Sequence, residues 1–171
     1  MFKRFGAVAL AAAMLVLAAA PAVVARDSVD RPWTGASVGQ TWFDETNPKD
    51  CAADITTRVD QPARASHFGQ AFLVMAHCPT YDFADNFADS SFTLMAANGD
   101  AVFGRFVGTI DGYSEVIGDE IFGTIHLTIT GGDGRFEGAG GSAVMKFRTT
   151  FEGYDDYSWA WWASWTGTLS Y

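Results

Sequence analysis

Few side chains in this 171-residue chain could carry out acid–base, nucleophilic or metal chemistry. Its three histidines, His67, His77 and His126, are well separated, and its two cysteines, Cys51 and Cys78, form no Cys-x-x-Cys pair. His77 adjoins Cys78, but no second closely spaced pair of ligands completes a tetrahedral zinc site. A Ser-His-Asp signature is also missing. The sequence therefore predicts no metal and no cofactor, and it leaves the catalytic residues unknown.

Aromatic residues are the most abundant candidates for a binding site, with 14 Phe, 6 Trp and 5 Tyr. Near the C-terminus, Trp159, Trp161, Trp165 and Tyr171 are separated by even numbers of positions and so share one face of an extended chain. They could line a pocket for a small hydrophobic ligand. Alternatively, they fill the interior of the protein, and the sequence leaves both interpretations open.

Arg105 is a second, weaker candidate for a ligand contact. It is the only cation within residues 101–110, where it shares a face with Phe103. An inward Arg105 would need an anionic partner or a ligand carboxylate, whereas an outward one would be an ordinary surface residue. The alternation of apolar and polar residues in this segment is too irregular to decide between an inward and an outward Arg105. His126, on the hydroxyl-rich face of its segment, is expected to face solvent.

The N-terminus has the three parts of a secretory signal peptide. Lys3 and Arg4 form a short basic start, residues 6–20 are uncharged and mainly apolar, and small residues suit cleavage after Ala22 or Ala25. Since a membrane-spanning helix needs about 20 apolar residues, this run is too short to be an anchor. The sequence predicts a secreted or periplasmic protein, without a membrane anchor after cleavage.

Acidic residues dominate the mature chain. Cleavage after Ala25 leaves 146 residues with nine Lys and Arg and all 20 Asp and Glu, a net charge of −11. That charge argues against nucleic acid or anionic lipid as a partner, since both need a basic face. Asp82, Asp85 and Asp89 lack the spacing of a known calcium loop and are expected to lie in a solvated loop.

The cysteines suggest a disulfide. An even number of cysteines in an exported chain favours pairing of Cys51 with Cys78. The closed loop of about 27 residues would stabilise the fold by roughly 3–4 kcal/mol in the chain-entropy treatment.

Period-two alternation predicts strands throughout the mature chain. The segments are 37–43, 53–59, 68–76, 91–96, 101–110, 120–130, 141–151 and 158–171. Turns are expected at Gln61-Pro62-Ala63, at Asn98-Gly99, at residues 131–134 and at residues 152–156. Residues 26–35 are expected to be flexible.

Sequential hairpins favour an all-β fold, a single antiparallel up-and-down barrel of about eight strands, over a β-sandwich. The predicted domains are a signal peptide at 1–25, a flexible segment with a possible first strand at 26–50, and the barrel at 51–171.

The glycine-rich segment Gly131-Gly132-Asp133-Gly134-Arg135-Phe136-Glu137-Gly138 precedes a strand rather than a helix. It therefore predicts a tight turn with a β-bulge, with Gly132, Gly134, Arg135 and Phe136 in structural roles, rather than a phosphate-binding loop. Residues 129–141 as a whole resemble a segment of bacterial proteins with an allene oxide cyclase-like barrel. Ala97–Asp100, Ser66–Gly69 and Gly167–Tyr171 resemble further segments of that group, and together the matches span residues 53–171.

The resemblance implies an eight-stranded barrel related to dirigent proteins and spirotetronate cyclases, which hold a flexible apolar substrate. It also implies a homo-oligomer, and it makes His67 a candidate for a ligand contact near a barrel mouth. No position matches the acidic catalytic residue of the plant cyclases. Three functions follow as hypotheses: binding of a small hydrophobic molecule, an isomerase or cyclase that confines one substrate conformer, and a packed structural or interaction barrel.

Overall fold

The protein forms a closed antiparallel β-barrel of eight strands, as predicted. A computed structural model describes residues 28–49, 56–78, 87–114, 120–151 and 158–171. The strands are β1 (Asp30–Asp44), β2 (Thr56–Ala65), β3 (Gly69–Cys78), β4 (Ala88–Ala96), β5 (Ala101–Ser114), β6 (Glu120–Asp133), β7 (Gly140–Phe151) and β8 (Ser158–Ser170). Each strand pairs with its neighbours in sequence, and pairing of β1 with β8 from Asp30–Ser170 to Trp42–Ser158 closes the barrel. No helix in these ranges is long and apolar enough to cross a membrane.

The alternation predicted for the C-terminal strand is confirmed. Trp161, Trp165 and Leu169 point into the barrel and are buried, while Ser164 and Thr166 between them are exposed. Because successive side chains of a strand point to opposite sides, one apolar face is enough to set which side of β8 turns inward. His126 on β6 is exposed, which confirms the prediction that it faces solvent.

The expectation of a flexible segment over residues 26–35 is wrong from Asp30 onward. β1 begins there and pairs with β8 along its length, so the barrel begins well before the predicted boundary at residue 51. Trp33 is inward and only 1% exposed. Polar and small residues around Trp33 hide the alternation in the sequence, but β8 needs a partner strand if the barrel is to have no free edge.

The turn expected at Gln61-Pro62-Ala63 is also wrong, because β2 continues through these residues and the chain turns at residues 66–68. Proline has no backbone N–H, so it is tolerated in a sheet only where no interstrand hydrogen bond requires that donor. The β1–β2 ladder is interrupted at this point, between the Ser37–Ala63 and Thr41–Val59 pairs. Inside the barrel, the buried Gln61 amide donates a hydrogen bond to Ser37 Oγ at 2.9 Å.

The hairpin turn at Asn98-Gly99 is confirmed. Gly99 has a φ of +90°, which glycine adopts without a steric penalty, and its N–H donates to the carbonyl oxygen of Ala96 at 3.0 Å. The Asn98 side-chain amide donates to Asp100 Oδ2 at 2.8 Å. These bonds define the β4–β5 connection.

The barrel has two different ends. The connections at residues 66–68, 97–100 and 134–139 lie at one end, which we call the packed end. The other connections, which follow β1, β3, β5 and β7, lie at the opposite end, and most of their residues are outside the described ranges. Of the predicted acidic loop, Asp82 and Asp85 lie outside the described ranges, whereas Asp89 lies in β4, so the loop prediction is wrong for that residue. The predicted turn at 152–156 and the predicted signal peptide also lie outside the described ranges.

The glycine–arginine–phenylalanine segment closes the packed end. The predicted tight turn is one turn of 3-10 helix at Gly134–Phe136, later than the predicted 131–134 because β6 continues to Asp133, and Phe136 is completely buried. The register of β5 and β6 shifts beside Gly131, as expected of a β-bulge. Its ring stacks on Phe68 with centroids 4.4 Å apart and meets Tyr171 edge-on at 4.9 Å. Gly134 has a φ of +66°, and a Cβ there would overlap the Asp100 carboxylate. The structural role predicted for this segment therefore follows from a buried aromatic ring and a tight turn.

Arg135 ties the same turn to two other connections. Its Nε lies 3.2 Å from Asp100 Oδ2, and its Nη2 donates to the backbone oxygen of His67 at 2.6 Å. The guanidinium also lies over the Phe136 ring at 4.8 Å. Because this side chain is about half exposed, the ion pair itself adds little stability, and its main effect is to hold the three connections together.

Phe136→Ala should lower the free energy of unfolding by about 3–5 kcal/mol, because it empties the centre of the packed end. The matched control is Phe103→Ala, which removes a phenylalanine from the outer face of β5 and should lower it by less than about 1 kcal/mol. Urea unfolding followed by tryptophan fluorescence measures both. Equal losses for the two variants would contradict the conclusion that Phe136 fills the packed end.

Candidate binding cavity

A cavity of about 160 Å³ occupies the barrel interior at the end opposite Phe136. Seven strands, β1 to β3 and β5 to β8, supply described wall residues, and Phe87, just before β4, adds another. The lining residues are Thr41, Phe43, Thr57, Val59, Met75, His77, Phe87, Phe106, Gly108, Ile110, Ile121, Ile125, Phe147, Thr149, Trp159 and Trp161. We call this space the barrel cavity.

Aromatic pairs form much of its wall. Phe147 stacks on Trp161 with centroids 4.9 Å apart and an interplanar angle of 7°. Trp159 meets Phe43 edge-on at 4.9 Å. Such pairs hold rings in fixed orientations, since stacked and edge-on contacts are both favourable. The wall is therefore rigid and mainly apolar.

Gly108 makes room for Phe87 in this wall. A Cβ at residue 108 would overlap the Phe87 ring. Phe87 in turn lies 5.8 Å from Phe106 and 6.0 Å from Phe147, measured between ring centroids. Because Gly108 has no side chain, the ring of Phe87, which precedes β4, can pack against this part of the barrel wall.

Polar atoms of three lining residues have no hydrogen-bond partner within the described part of the chain. They are Thr57 Oγ1, Thr149 Oγ1 and Trp161 Nε1, all nearly inaccessible. Thr41 differs, because its hydroxyl donates to the backbone oxygen of Arg58 at 2.8 Å. A buried polar atom without a partner destabilises a fold by about 1–3 kcal/mol. Unpaired groups around a cavity are therefore candidates for bonds to a ligand.

Among the described lining residues, His77 is the one ionisable side chain. Burial lowers its pKa from 6.5 to about 4, a backbone hydrogen bond at Cys78 opposes this shift, and the charge of Lys49 adds to it. The His77 ring meets Phe87 edge-on at 4.4 Å. Because the imidazole is surrounded by apolar rings, it is neutral at pH 7.

The cavity wall contains no Asp, Glu, Lys or Arg among its described residues. The nearby Arg58 belongs to the outer side of β2, where it pairs with Asp60 at 2.9 Å and with Asp44 at 3.3 Å. Hydrogen bonds from Thr46 and the Arg58 charge hold the pKa of Asp44 below its usual value, against the opposing effect of burial. These three charged groups thus pair with one another outside the cavity.

Two of the predicted ligand-contacting residues line the cavity and three lie at the packed end. Trp159 and Trp161 form part of the cavity wall. Trp165 is buried against Trp33 at 5.8 Å, Tyr171 packs on Phe136, and His67 lies in a turn with its Nε2 2.9 Å from the Pro32 oxygen. The structure therefore divides the predicted aromatic face between a cavity wall and a packed core.

Arg105 and Phe103 do not approach the cavity. Both point outward from β5 and are exposed. Of the open alternatives for Arg105, the structure supports the ordinary surface residue. Cys78 ends β3 beside His77, whereas Cys51 lies outside the described ranges, so the disulfide stays a prediction.

The sequence interpretation did not select His77, Thr57 or Thr149 as site residues. The alternation of inward and outward residues along β3 and β7 could have identified His77 and Thr149. His77 has the same parity as Leu73 and Met75 on β3, and Thr149 has the same parity as Met145 and Phe147 on β7. A polar residue on the inward face of a strand is unusual and marks either a buried hydrogen bond or a site.

Comparisons with known proteins assign no family to the chain. No protein-family model, curated protein or solved structure matches it. Within the described ranges, no cluster of three or more His, Cys, Asp or Glu side chains could hold a metal ion. The geometry of the barrel cavity is therefore the main basis for a proposed function.

The burial of His77 predicts a pH dependence of stability. The histidine titrates near pH 6.5 when unfolded and near pH 4 when folded. As the pH falls, the unfolded state therefore takes up the proton at a higher pH than the folded state does. The free energy of unfolding should therefore be highest above pH 6.5 and should fall by about 2–3 kcal/mol between pH 7 and pH 4.5 from this group alone.

Urea unfolding at the two pH values measures this effect. His77→Leu should lose it, whereas His126→Leu, a matched change on the exposed face of β6, should retain it. Equal pH dependence in both variants would show that His77 is not the source.

Proposed function

We propose that this protein is an exported binding protein that holds one small, uncharged and mainly apolar molecule in the barrel cavity. The observation that carries this proposal is the cavity itself, an aromatic-walled space at one end of a barrel whose other end is filled. Barrels of about eight strands are either filled by their own side chains or have room for one small ligand. This barrel combines both arrangements along its axis.

The size of the space limits the ligand. Engineered apolar cavities of about 150 Å³ stay dry and bind benzene. A cavity of about 160 Å³ therefore suits a molecule with a single ring or a short branched chain. A long acyl chain or a polycyclic molecule would need the wall residues to move.

An isomerase or cyclase that works by confinement is the second candidate function. It is favoured by the hydroxyl groups of Thr57 and Thr149 and by the His77 imidazole beside apolar walls, since holding one substrate conformer can lower a barrier with few acid–base groups. The resemblance to allene oxide cyclase-like barrels agrees with this candidate. An isomerase would release a product with the mass of the molecule supplied but with a different chromatographic retention time.

A fully packed barrel that acts only through its outer face is less well supported, because the barrel cavity leaves part of the interior unfilled. The outer face does carry exposed apolar residues, among them Val38 and Val107, each 60% exposed. A homo-oligomer built on such residues stays a proposal, which sedimentation of the purified protein would test.

Binding should be lost when the cavity is filled. Val59→Phe adds a ring to the wall on β2, so uptake of a neutral single-ring probe such as toluene should fall at least tenfold. Val107→Phe is the matched control on the outer face of β5 and should bind like the unmodified protein. Titration followed by the fluorescence of Trp159 and Trp161, with native mass spectrometry of the complex, measures uptake. Equal binding by the two variants would place the ligand elsewhere.

Export should produce a shortened, oxidised chain. We expect the protein recovered outside the cytoplasm to begin after Ala22 or Ala25, because the leader has the parts of a signal peptide. Its intact mass should be lower by two hydrogens than that of the reduced form if Cys51 pairs with Cys78. Intact-mass analysis with and without reductant measures both properties. A full-length chain with two thiols that react with an alkylating reagent would contradict export and pairing.

A further inference from the structure

We infer that the barrel cavity selects a neutral, ring-sized molecule carrying a hydroxyl group, and that this hydroxyl lies between His77 and Thr57. The inference rests on the proposed function, since it names the chemical class of ligand for the same cavity. Its basis is a pair of polar side chains that face each other on neighbouring strands of an otherwise apolar wall.

The register of β2 and β3 brings the two residues together. Thr57 pairs directly with His77 across the two strands, and both side chains line the cavity. Side chains directly opposite one another in an antiparallel pair have Cβ atoms about 4.5–5.5 Å apart. A single ligand oxygen can therefore lie within hydrogen-bond distance of both residues.

His77 offers an acceptor to the ligand. Its Nδ1 lies 3.2 Å from the backbone oxygen of Cys78, and a carbonyl oxygen only accepts hydrogen bonds. The proton of the neutral ring is therefore on Nδ1, which leaves Nε2 with a lone pair. A hydroxyl group of the ligand can donate to that atom.

Thr57 offers the complementary donor. Its side chain is about nine-tenths buried, and its hydroxyl has no partner within the described residues. Thr41, on the neighbouring strand β1, differs because its hydroxyl is already bonded to a backbone oxygen. Because Thr57 Oγ1 has almost no accessible surface, its side chain has to rotate about χ1 toward the cavity to donate to the same ligand oxygen, which then both gives and receives a hydrogen bond. An alcohol or a phenol meets this requirement, whereas an ether, which has no proton to donate, does not.

Charged molecules of the same size fit poorly. A carboxylate in the cavity would find no cation among the described lining residues, and His77 is neutral at pH 7 because burial lowers its pKa to about 4. An unpaired carboxylate in apolar surroundings is strongly disfavoured. A ligand cation would likewise find no anionic side chain there. The cavity therefore discriminates between neutral and ionised forms as well as between polar and apolar rings.

Three probes of nearly equal size test this inference: toluene, phenol and benzoate at pH 7. Phenol gives up hydrogen bonds to water when it enters a protein, so a purely apolar cavity should bind it more weakly than toluene. With His77 and Thr57 as partners, we expect phenol to bind the purified protein at least as tightly as toluene. Benzoate should bind at least 100-fold more weakly than phenol. Calorimetric or NMR-detected titration gives the dissociation constants.

The outcomes distinguish failure of the inference alone from failure of the proposed function. Toluene binding clearly tighter than phenol would overturn the hydroxyl selection and leave a binding protein for apolar molecules. Benzoate binding as tightly as phenol would overturn the selection of neutral ligands. Failure of all three probes to bind would overturn the proposed function together with the inference.

Variants locate the selecting groups. Thr57→Val keeps the shape of the side chain and should weaken phenol at least fivefold while leaving toluene unchanged or tighter. Thr166→Val, on the exposed face of β8, is the matched control and should change neither. His77→Phe should weaken phenol relative to toluene at least tenfold, and His77→Gln, which retains an acceptor, should restore part of the difference. An unchanged phenol-to-toluene ratio in both the Thr57 and the His77 variants would show that neither residue holds the hydroxyl.

Discussion

Closure of the sheet by pairing of β1 with β8 is the constraint on which the other features depend. An eight-stranded barrel has an interior just wide enough to be filled by side chains, so the sizes of the inward residues decide where it is solid. At the packed end, Trp33, Trp165 and Phe136 fill the cross-section. Toward the other end, Thr57, Val59 and Gly108 are smaller, and a cavity results. The same closed sheet thus contains both a packed core and a cavity.

These two halves have different energetic roles. The packed end buries large rings, and a fully buried aromatic side chain contributes several kcal/mol to stability. The cavity wall contains unpaired polar atoms of Thr57, Thr149 and Trp161, each of which lowers stability by about 1–3 kcal/mol. Unpaired N–H groups of Trp33 and Trp165 also occur in the buried core, but neither residue is among the described lining residues of the barrel cavity. The unpaired atoms of residues at the cavity are therefore better placed to form hydrogen bonds with a molecule bound there.

Much of the fold follows from local patterns in the sequence. Strict alternation over β6, β7 and β8 predicts both the strands and their inward faces, and Asn98-Gly99 predicts a hairpin turn because its geometry needs a positive φ. The misassigned segments have physical reasons. The start of β1 is polar on most positions and becomes ordered through its pairing with β8, and Pro62 lies in β2 because the β1–β2 ladder has a gap beside it.

The candidate site was less predictable than the fold. Alternation placed Trp159, Trp161 and Trp165 on one face, and that is correct. It could not separate a cavity residue from a core residue, because all three have the same parity. Trp159 and Trp165 are six positions apart, which corresponds to about 20 Å along a strand. That distance places Trp159 at the cavity and Trp165 beside Trp33 in the packed core.

On β6, β7 and β8 the sequence by itself determined which side chains turn inward, because a strand alternates its faces with a period of two. It also determined the turn that contains Phe136, because glycine at residue 134 allows a backbone conformation that other residues avoid. Only the tertiary structure decided that Thr57 faces His77 and that both lie beside empty space. Pairing register and height along the barrel axis depend on all eight strands together, and no single segment of the chain contains that information.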